Sequence, residues 1–345
     1  MNLAKAYHQV NDVLSTVDFN ALFPGFHRYP FALYSSKEIC LNGELLPYQD
    51  GFRGNTSKLH NGEYIAIWNM EFDPIDDPEI LAYSLVHEMF HCHQHSNNES
   101  RFPSDLTLLN YPDDTENFLR KYNENRCLAN AYEQNDLMEL RRFAWIRQAR
   151  LKSYPDMVRQ ELRVETTEGM AEYVGLKALK QISEEKFMVI TNGYTGRLRA
   201  ESSLLFDIRR MAYFSGAIYF LLLDQLGFFV HNDFDTDLTA YEQNPIGTDD
   251  ITAEIHPFGF ISKAYAELVK RKEAKAAEHI SRSDYVECNA FICGYDPMNM
   301  FRVGNLIYCS YFVCLNEAGR INSINSPVVL KLADGSNQEV VGYYI

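Results

Sequence analysis

The sequence predicts an α+β protein built from three successive segments. Residues 29–72 contain short strand-like runs that are separated by glycine-containing turns. Residues 77–283 carry apolar side chains at helical spacing over long stretches. Residues 284–345 return to strand-like runs. We therefore predict a β-rich N-terminal segment that packs on a mainly helical region, both within one large domain of residues 1–283, followed by a small β-rich accessory domain.

The individual elements follow from local patterns along the chain. Pro78 suits the first turn of a helix with Asp77 near its cap, and Asn97 and Asn98 are stop signals. Before that helix we predict a short helix at 3–17 and strands at 31–36, 37–46 and 63–72. After it we predict helices at about 115–184 (with a break at 154–155), 200–226 and 260–282, with loops at 99–113, in TNGYTGRLR and at 231–257.

Composition excludes several classes of function. The 345-residue chain is 46% hydrophobic and 23% charged, which is typical of a globular protein with a substantial core. Its formal net charge of −15 would repel phosphate backbones, so we expect no nucleic-acid partner. We find no long apolar run and no export signal, so we expect no membrane association and a cytoplasmic location. The seven cysteines are then expected to be reduced thiols.

The strongest motif is His-Glu-x-x-His in the helix that follows Asp77. His87 and His91 are four positions apart, so they share one helical face, about 6 Å apart along the axis. Two imidazoles at this spacing can bind one zinc ion. Glu88 projects from the neighbouring face, where it can accept a proton from a metal-activated water without binding the metal. A buried histidine-rich helix without metal is the alternative interpretation.

Two further histidines follow on the same helix. His95 is rotated about 80° from His87, so the two rings cannot share an ion without distortion. We interpret His93 and His95 as residues at the surface or around the ligands, near a helix C-terminus where positive charge is favourable.

A catalytic zinc ion needs a third protein ligand. The best candidates lie in RVETTEGMAEYVGLKAL, where Glu165, Glu168 and Glu172 fall on one helical stripe. Carboxylates among apolar neighbours are costly unless they are paired or bound to a cation. The small residues Gly169 and Ala171 would let another helix approach closely beside the middle glutamate. A solvated acidic face is the alternative interpretation.

These two motifs together resemble those of the gluzincin metallopeptidases, which include thermolysin and the zinc aminopeptidases. The resemblance implies that the large domain is a gluzincin-like catalytic domain with Glu168 as the third zinc ligand. It matches Glu172 to a carboxylate that holds a zinc-binding histidine in its tautomer, and it leaves Glu165 as the runner-up ligand. Glu168 follows His91 by 77 positions, which exceeds the spacing in those families, so residues 99–155 are predicted to contain an inserted helical pair.

A third segment, Tyr213-x-x-Gly216 before an apolar run, resembles the part of leukotriene-hydrolase-type aminopeptidases that carries their transition-state tyrosine. By this resemblance, the Tyr213 hydroxyl would stabilise the oxyanion of the tetrahedral intermediate. The chain has 22 tyrosines, so a core tyrosine is the alternative. The lesser candidates for the same role are Tyr219, Arg210 and His231.

The strand at 63–72 precedes the motif helix by a short proline-containing link, as the substrate-binding edge strand does in gluzincins. We expect its exposed edge to pair with an extended peptide. The Gly-x-Met-Glu-Asn motif that captures the α-amine in aminopeptidases is absent, and Glu71 lies too close to the helix to replace it. Exopeptidase activity is therefore not predicted.

The sequence thus predicts a zinc-dependent metallohydrolase, most simply a peptidase that acts on a peptide or protein substrate. The Zn²⁺ ligands would be His87, His91 and Glu168. Glu88 would be the general base, and Tyr213 would stabilise the oxyanion. The rival hypothesis is a binding or scaffold protein of the same fold that no longer catalyses; the retained Glu88 argues against it, because a structural zinc site needs no base. The sequence indicates neither the oligomeric state nor the cleavage specificity.

Overall fold

The computed structural model describes residues 2–112 and 114–345. It contains both helices and sheets, as predicted. The helices are α1 (Leu3–Leu14), α2 (Pro78–Ser96), α3 (Asp105–Leu108), α4 (Thr115–Gln134), α5 (Leu137–Ser153), α6 (Pro155–Val164), α7 (Met170–Ile182), α8 (Glu184–Arg199), α9 (Ile208–Gln225), α10 (Ala240–Gln243) and α11 (Phe260–Ile280). The strands are β1 (Phe31–Tyr34), β2 (Glu38–Leu41), β3 (Glu44–Pro47), β4 (Thr56–His60), β5 (Glu63–Asn69), β6 (Tyr285–Tyr295), β7 (Met300–Val303), β8 (Leu306–Cys309), β9 (Val313–Glu317), β10 (Arg320–Ile324), β11 (Val328–Leu332) and β12 (Glu339–Tyr344). Within the described residues, no helix is long and apolar enough to cross a bilayer.

The N-terminal strands form a five-stranded sheet in the order β3-β2-β1-β5-β4. β1 and β5 run parallel, and the other neighbours are antiparallel. The hairpins β2–β3 and β4–β5 turn through Asn42-Gly43 and Asn61-Gly62, whose positive φ angles suit these two residue types. The prediction that residues 63–72 form an exposed edge is wrong, because β5 is paired on both sides. The free edge on that side belongs to β4, which the sequence patterns did not reveal.

Helix α2 begins and ends where its capping residues predict. Pro78 stands in the first turn, and the Asp77 carboxylate accepts the backbone N–H of Glu79 at 3.0 Å. The helix ends just before Asn97. α1, β5 and α7 all contact it, so side chains on nearly every face of α2 are buried. The histidine motif therefore stands on a rigid, enclosed helix.

The insertion between the two motifs contains the predicted helical pair. α4 and α5 pack along each other and are joined at Asn135, which adopts the left-handed conformation (φ 52°). The pair leaves α2 free to contact α7 directly. A separation of 77 residues in sequence therefore does not separate the two motifs in space.

Two helix boundaries differ from the predictions. The segment TNGYTGRLR is the second half of α8 and not a loop, because side chains from Phe187 to Leu198 are buried at helical spacing and their packing outweighs the cost of two glycines. The helix predicted from residue 200 begins only at Ile208, after a 3₁₀ turn at Ser203–Phe206.

A π-helical turn at Glu165–Gly169 joins α6 to α7. Thr166 and Thr167 within it donate their hydroxyls to carbonyls of the preceding turn, at 2.7 and 3.0 Å. The wider turn changes the angle between successive side chains. As a result, the Glu165 and Glu168 side chains have different partners and do not share the predicted stripe.

The C-terminal strands form a seven-stranded antiparallel sheet in the order β10-β9-β6-β12-β11-β8-β7. Its core includes Leu106 of α3, from the stretch that was predicted to be loop. Asn110, just after α3, also donates to Asn337 at 2.7 Å. The segment after α2 is thereby docked against the C-terminal sheet.

Candidate metal centre

Two imidazole nitrogens and one carboxylate oxygen converge where α2 meets the π-helical turn. The Nε2 atoms of His87 and His91 lie 3.1 Å apart. Glu168 Oε2 is 3.5 Å from the first nitrogen and 3.1 Å from the second. Among the described residues, these three form the one cluster of His, Cys, Asp or Glu side chains that could hold a metal ion.

Hydrogen bonds on the far side of each ring fix the imidazole tautomers. His87 Nδ1 lies 2.8 Å from Glu172 Oε2, which is an acceptor, so Nδ1 carries the proton. His91 Nδ1 lies 2.7 Å from Gln94 Oε1. The Gln94 amide nitrogen donates to the carbonyl of Thr167 at 2.9 Å, so its oxygen must face the ring. In their neutral form, both rings therefore present an Nε2 lone pair to the same point.

This donor set fits a divalent cation. Two Nε2 lone pairs and a carboxylate oxygen face one another. While both rings are neutral, none of these three atoms carries a hydrogen that could form a hydrogen bond to another. Burial would lower the pKa of His87 and of His91, but the adjacent Glu168 outweighs burial and raises both, so the cluster attracts positive charge, either as a proton on a ring or as a bound cation. A cation at the point of convergence would satisfy all three atoms, and nitrogen and oxygen donors of this kind suit zinc.

Glu172 is held by two tyrosines as well as by His87. The hydroxyls of Tyr83 and Tyr194 both donate to its Oε1. Burial would raise the pKa of Glu172, but the hydrogen bonds that it accepts from His87 and the two tyrosines lower it on balance. The structure thus places an anion where it orients His87 through Nδ1.

Glu165, the runner-up ligand, does not join the imidazoles. Its two oxygens accept hydrogen bonds from Arg147 at 2.6 and 2.7 Å, and one of them also accepts from Ser215 at 2.5 Å. It belongs to a buried ion cluster of three cations and three carboxylates: Lys121, Arg147, Arg150, Glu124, Glu161 and Glu165. Cationic side chains in this cluster balance the charge of Glu165, so Glu165 needs no metal ion.

His93 and His95 are not ligands in this arrangement. His93 is only 4% exposed and packs edge-on to Phe23 and Phe26, so the expectation of a surface or near-ligand position is wrong for it. Aromatic packing around the last turn of α2 overrides the helix-end argument. His95 is half-buried and stacks on Tyr64, with ring centroids 5.2 Å apart.

Glu88 and Tyr213 line the same cleft as the three converging side chains. Burial raises the pKa of Glu88, against the opposing effect of the imidazoles of His87 and His91. The Tyr213 ring lies parallel to that of His87, with centroids 6.0 Å apart and 9° between the planes. Burial and the nearby Glu168 raise the pKa of Tyr213 well above 10, so the phenol is protonated at neutral pH.

The lesser candidates for the oxyanion role lie elsewhere. Tyr219 donates its hydroxyl to the carbonyl of Asn244 at 2.5 Å. Arg210 pairs with Asp207 at 3.1 Å. His231 belongs to the loop after α9. None of these three candidates lines the cleft formed by the described residues.

The cleft has a volume of about 1430 Å³ and lies between the two sheets. Phe72, after β5, and Tyr311, between β8 and β9, contact each other there with ring centroids 5.1 Å apart. The C-terminal sheet contributes further lining residues, namely Tyr295, Asp296, Pro297, Met298, Asn299, Phe312 and Asn325. The connections between its strands therefore line the candidate site directly.

Besides Tyr83 and Tyr194, sequence reasoning missed Gln94, Arg209 and Asp105, which also support the site. Gln94 lies three positions after His91 on the same helix, a spacing that could have indicated it. Arg209 donates to Glu168 Oε1 at 2.8 Å and pairs with Asp105. No sequence signal distinguishes Arg209 from its neighbour, because only the rotation of α9 turns it toward the site.

Comparison with known proteins gives no match, whether to a protein-family model, to a curated protein or to a solved structure. The function is therefore argued from the geometry of the site.

Proposed function

We propose that the protein is a zinc-dependent metallohydrolase, most simply a peptidase. The observation that carries the proposal is the convergence of His87 Nε2, His91 Nε2 and Glu168 Oε2, with both ring tautomers fixed. Three protein ligands of this composition are typical of catalytic zinc sites, which keep a fourth position open.

The residues that line the cleft beside the candidate metal centre favour a catalytic role for the site over a purely structural one. Zinc, when bound, supplies Lewis acidity that lowers the pKa of water and polarises a carbonyl group. Glu88 lines the cleft and takes the proton of the attacking water, then returns it to the leaving amine. Tyr213, a protonated donor beside His87, stabilises the developing oxyanion.

The size of the cleft favours a peptide over a small metabolite. Small-molecule pockets span about 300–1,000 Å³, whereas this cleft holds about 1430 Å³. Aromatic and polar side chains from both sheets line it, including Trp68, Phe72 and Phe312, which suits a chain of mixed side chains. The available edge for pairing with an extended peptide is β4, whose first residue, Thr56, also lines the cleft.

The test compares wild type with the Glu88→Gln variant, both loaded with zinc. We expect each to bind about one equivalent of zinc, and the variant to cleave a broad peptide library about 10²–10⁴-fold more slowly. Glu79→Gln, on the first turn of α2, is the control that should leave both properties unchanged. Zinc binding without cleavage by wild type, together with specific capture of one protein, would replace this proposal with the scaffold function.

A further inference from the structure

The two oxygens of Glu168 face different partners. Oε2 lies 3.1 Å from His91 Nε2 and 3.5 Å from His87 Nε2. Oε1 accepts a hydrogen bond from Arg209 Nη2 at 2.8 Å. Only one oxygen of this carboxylate is therefore free to bind an ion at the point where the imidazoles converge.

Arg209 is held in place by a second carboxylate. Its Nη1 pairs with Asp105 of α3, and the side chains of Arg209 and Asp105 are 14% and 16% exposed. Leu106, the next residue of α3, is buried in the core of the C-terminal sheet. The guanidinium thus bridges two carboxylates through its planar fork, and swinging away would leave largely buried anions unpaired.

We infer that Arg209 is a positioning residue that restricts Glu168 to coordination through one oxygen. A carboxylate whose second oxygen is free can bind a metal through both oxygens. Two-oxygen binding would add a ligand beside the position that a catalytic site leaves open for water and substrate, and so raise the coordination number above four and crowd that position. Arg209 keeps that position available by occupying Oε1. This inference rests on the proposed metal centre and adds a residue that acts on its coordination number.

The experiment uses Co²⁺ as the probe, because its visible absorption weakens as its coordination number rises. Wild type, Arg209→Met and Arg210→Met are each titrated with Co²⁺, and their folding is checked by circular dichroism. Arg210 is the matched control, since it is the next residue of α9 but pairs with Asp207. We expect roughly twofold weaker absorption bands for Arg209→Met, because the coordination number of Co²⁺ would rise above four. The spectrum of Arg210→Met should be unchanged.

Two further variants keep the test decisive. Arg209→Lys retains a cation and a donor for Oε1, so its bands should be stronger than those of Arg209→Met. If Arg209→Met does not fold, Arg209→Leu provides the same loss of charge and of hydrogen-bond donors with a different apolar side chain. A folded neutral variant whose spectrum superimposes on that of wild type, or one that no longer binds Co²⁺, would overturn the inference.

The result also separates this inference from the proposed function. If wild type binds Co²⁺ but cleaves no peptide when loaded with zinc, the peptidase proposal fails, and the spectra of the Arg209 variants still decide the role of Arg209. If wild type binds no Co²⁺, both proposals are wrong.

Discussion

Gly169 and Gly216 meet backbone to backbone: a β-carbon on either one would lie 2.8 Å from the α-carbon of the other. Contacts this short are not tolerated, so each position requires glycine unless the helices separate. The pair clamps α9, which carries Arg209 and Tyr213, against the π-helical turn that carries Glu168. The absence of a side chain at both glycines thus sets how Glu168 lies relative to Arg209 and Tyr213.

Gly216→Ala should therefore separate α9 from the turn. We expect a loss of about 1–3 kcal/mol in the free energy of unfolding from overpacking, measured by urea denaturation, and weaker zinc binding because Glu168 moves. Gly196→Ala in α8 is the control, since open space surrounds that position. It should gain up to about 1 kcal/mol from helix propensity. Equal stability of Gly216→Ala and wild type would refute the clamp.

Glu172→Gln should weaken zinc binding by about 10–100-fold, because a neutral amide orients His87 less firmly than the buried carboxylate does. Competition with a chromogenic chelator measures the affinity. Tyr194→Phe, which removes one of the hydroxyls bound to Oε1, should cause a smaller loss in the same direction. An unchanged affinity in Glu172→Gln would show that His87 needs no anionic partner.

Tyr213→Phe should retain zinc and lose about 10²–10³-fold in peptide hydrolysis, as expected when one donor to an oxyanion is removed. Zinc content and initial rates are measured on the same preparation. Tyr219→Phe is the matched control: it removes a buried hydroxyl that donates to Asn244, so it should cost about 1 kcal/mol of stability but leave the rate of the folded enzyme intact. Equal rates in Tyr213→Phe and wild type would remove Tyr213 from the mechanism.

The buried ion cluster behind the π-helical turn gives a prediction for stability. Burial would raise the pKa of Glu124, but Arg150 and Arg147 outweigh it and hold that pKa well below 4.5. Glu124→Gln leaves three cations facing two carboxylates, so we expect a loss of about 3–5 kcal/mol at pH 7 by urea denaturation. Glu116→Gln, an exposed member of an ion pair on the same helix, should change stability by less than about 0.5 kcal/mol.

The same cluster sets the sign of the pH dependence. A carboxyl group whose pKa is lowered by folding contributes stability that is complete above the pKa of the unfolded chain and is lost as pH falls. The difference in stability between wild type and Glu124→Gln should therefore shrink as the pH falls below about 4.5. A difference that stays constant down to pH 3 would show that Glu124 is not stabilised as an anion.

Local patterns were sufficient to predict much of the fold and part of the site. The caps of α2, the inserted pair α4–α5 and the C-terminal strands follow from capping residues and periodicity, which act over a few positions. The group of Glu168 with His87 and His91 was also anticipated, on a resemblance and on the small residues beside the glutamate.

The errors concern features that depend on long-range packing. β5 was assigned an edge because the weak, half-exposed strand β4 gave no strand signal. The second half of α8 was assigned to a loop because Gly193 and Gly196 suggested one, whereas burial of the apolar face of α8 stabilises the helix. The support from Gln94, Arg209 and Asp105 depends on helix rotation and on the π-helical turn, and neither can be predicted from local residue preferences.

Anomalous diffraction at the zinc absorption edge, on crystals of the zinc-loaded protein, tests the metal centre most directly. We predict one strong peak per chain, about 2.0–2.2 Å from His87 Nε2, His91 Nε2 and Glu168 Oε2, with Glu168 Oε1 still bonded to Arg209. A crystal whose only zinc peak lies away from both imidazoles, or that shows no peak at saturating zinc, would contradict the central claim.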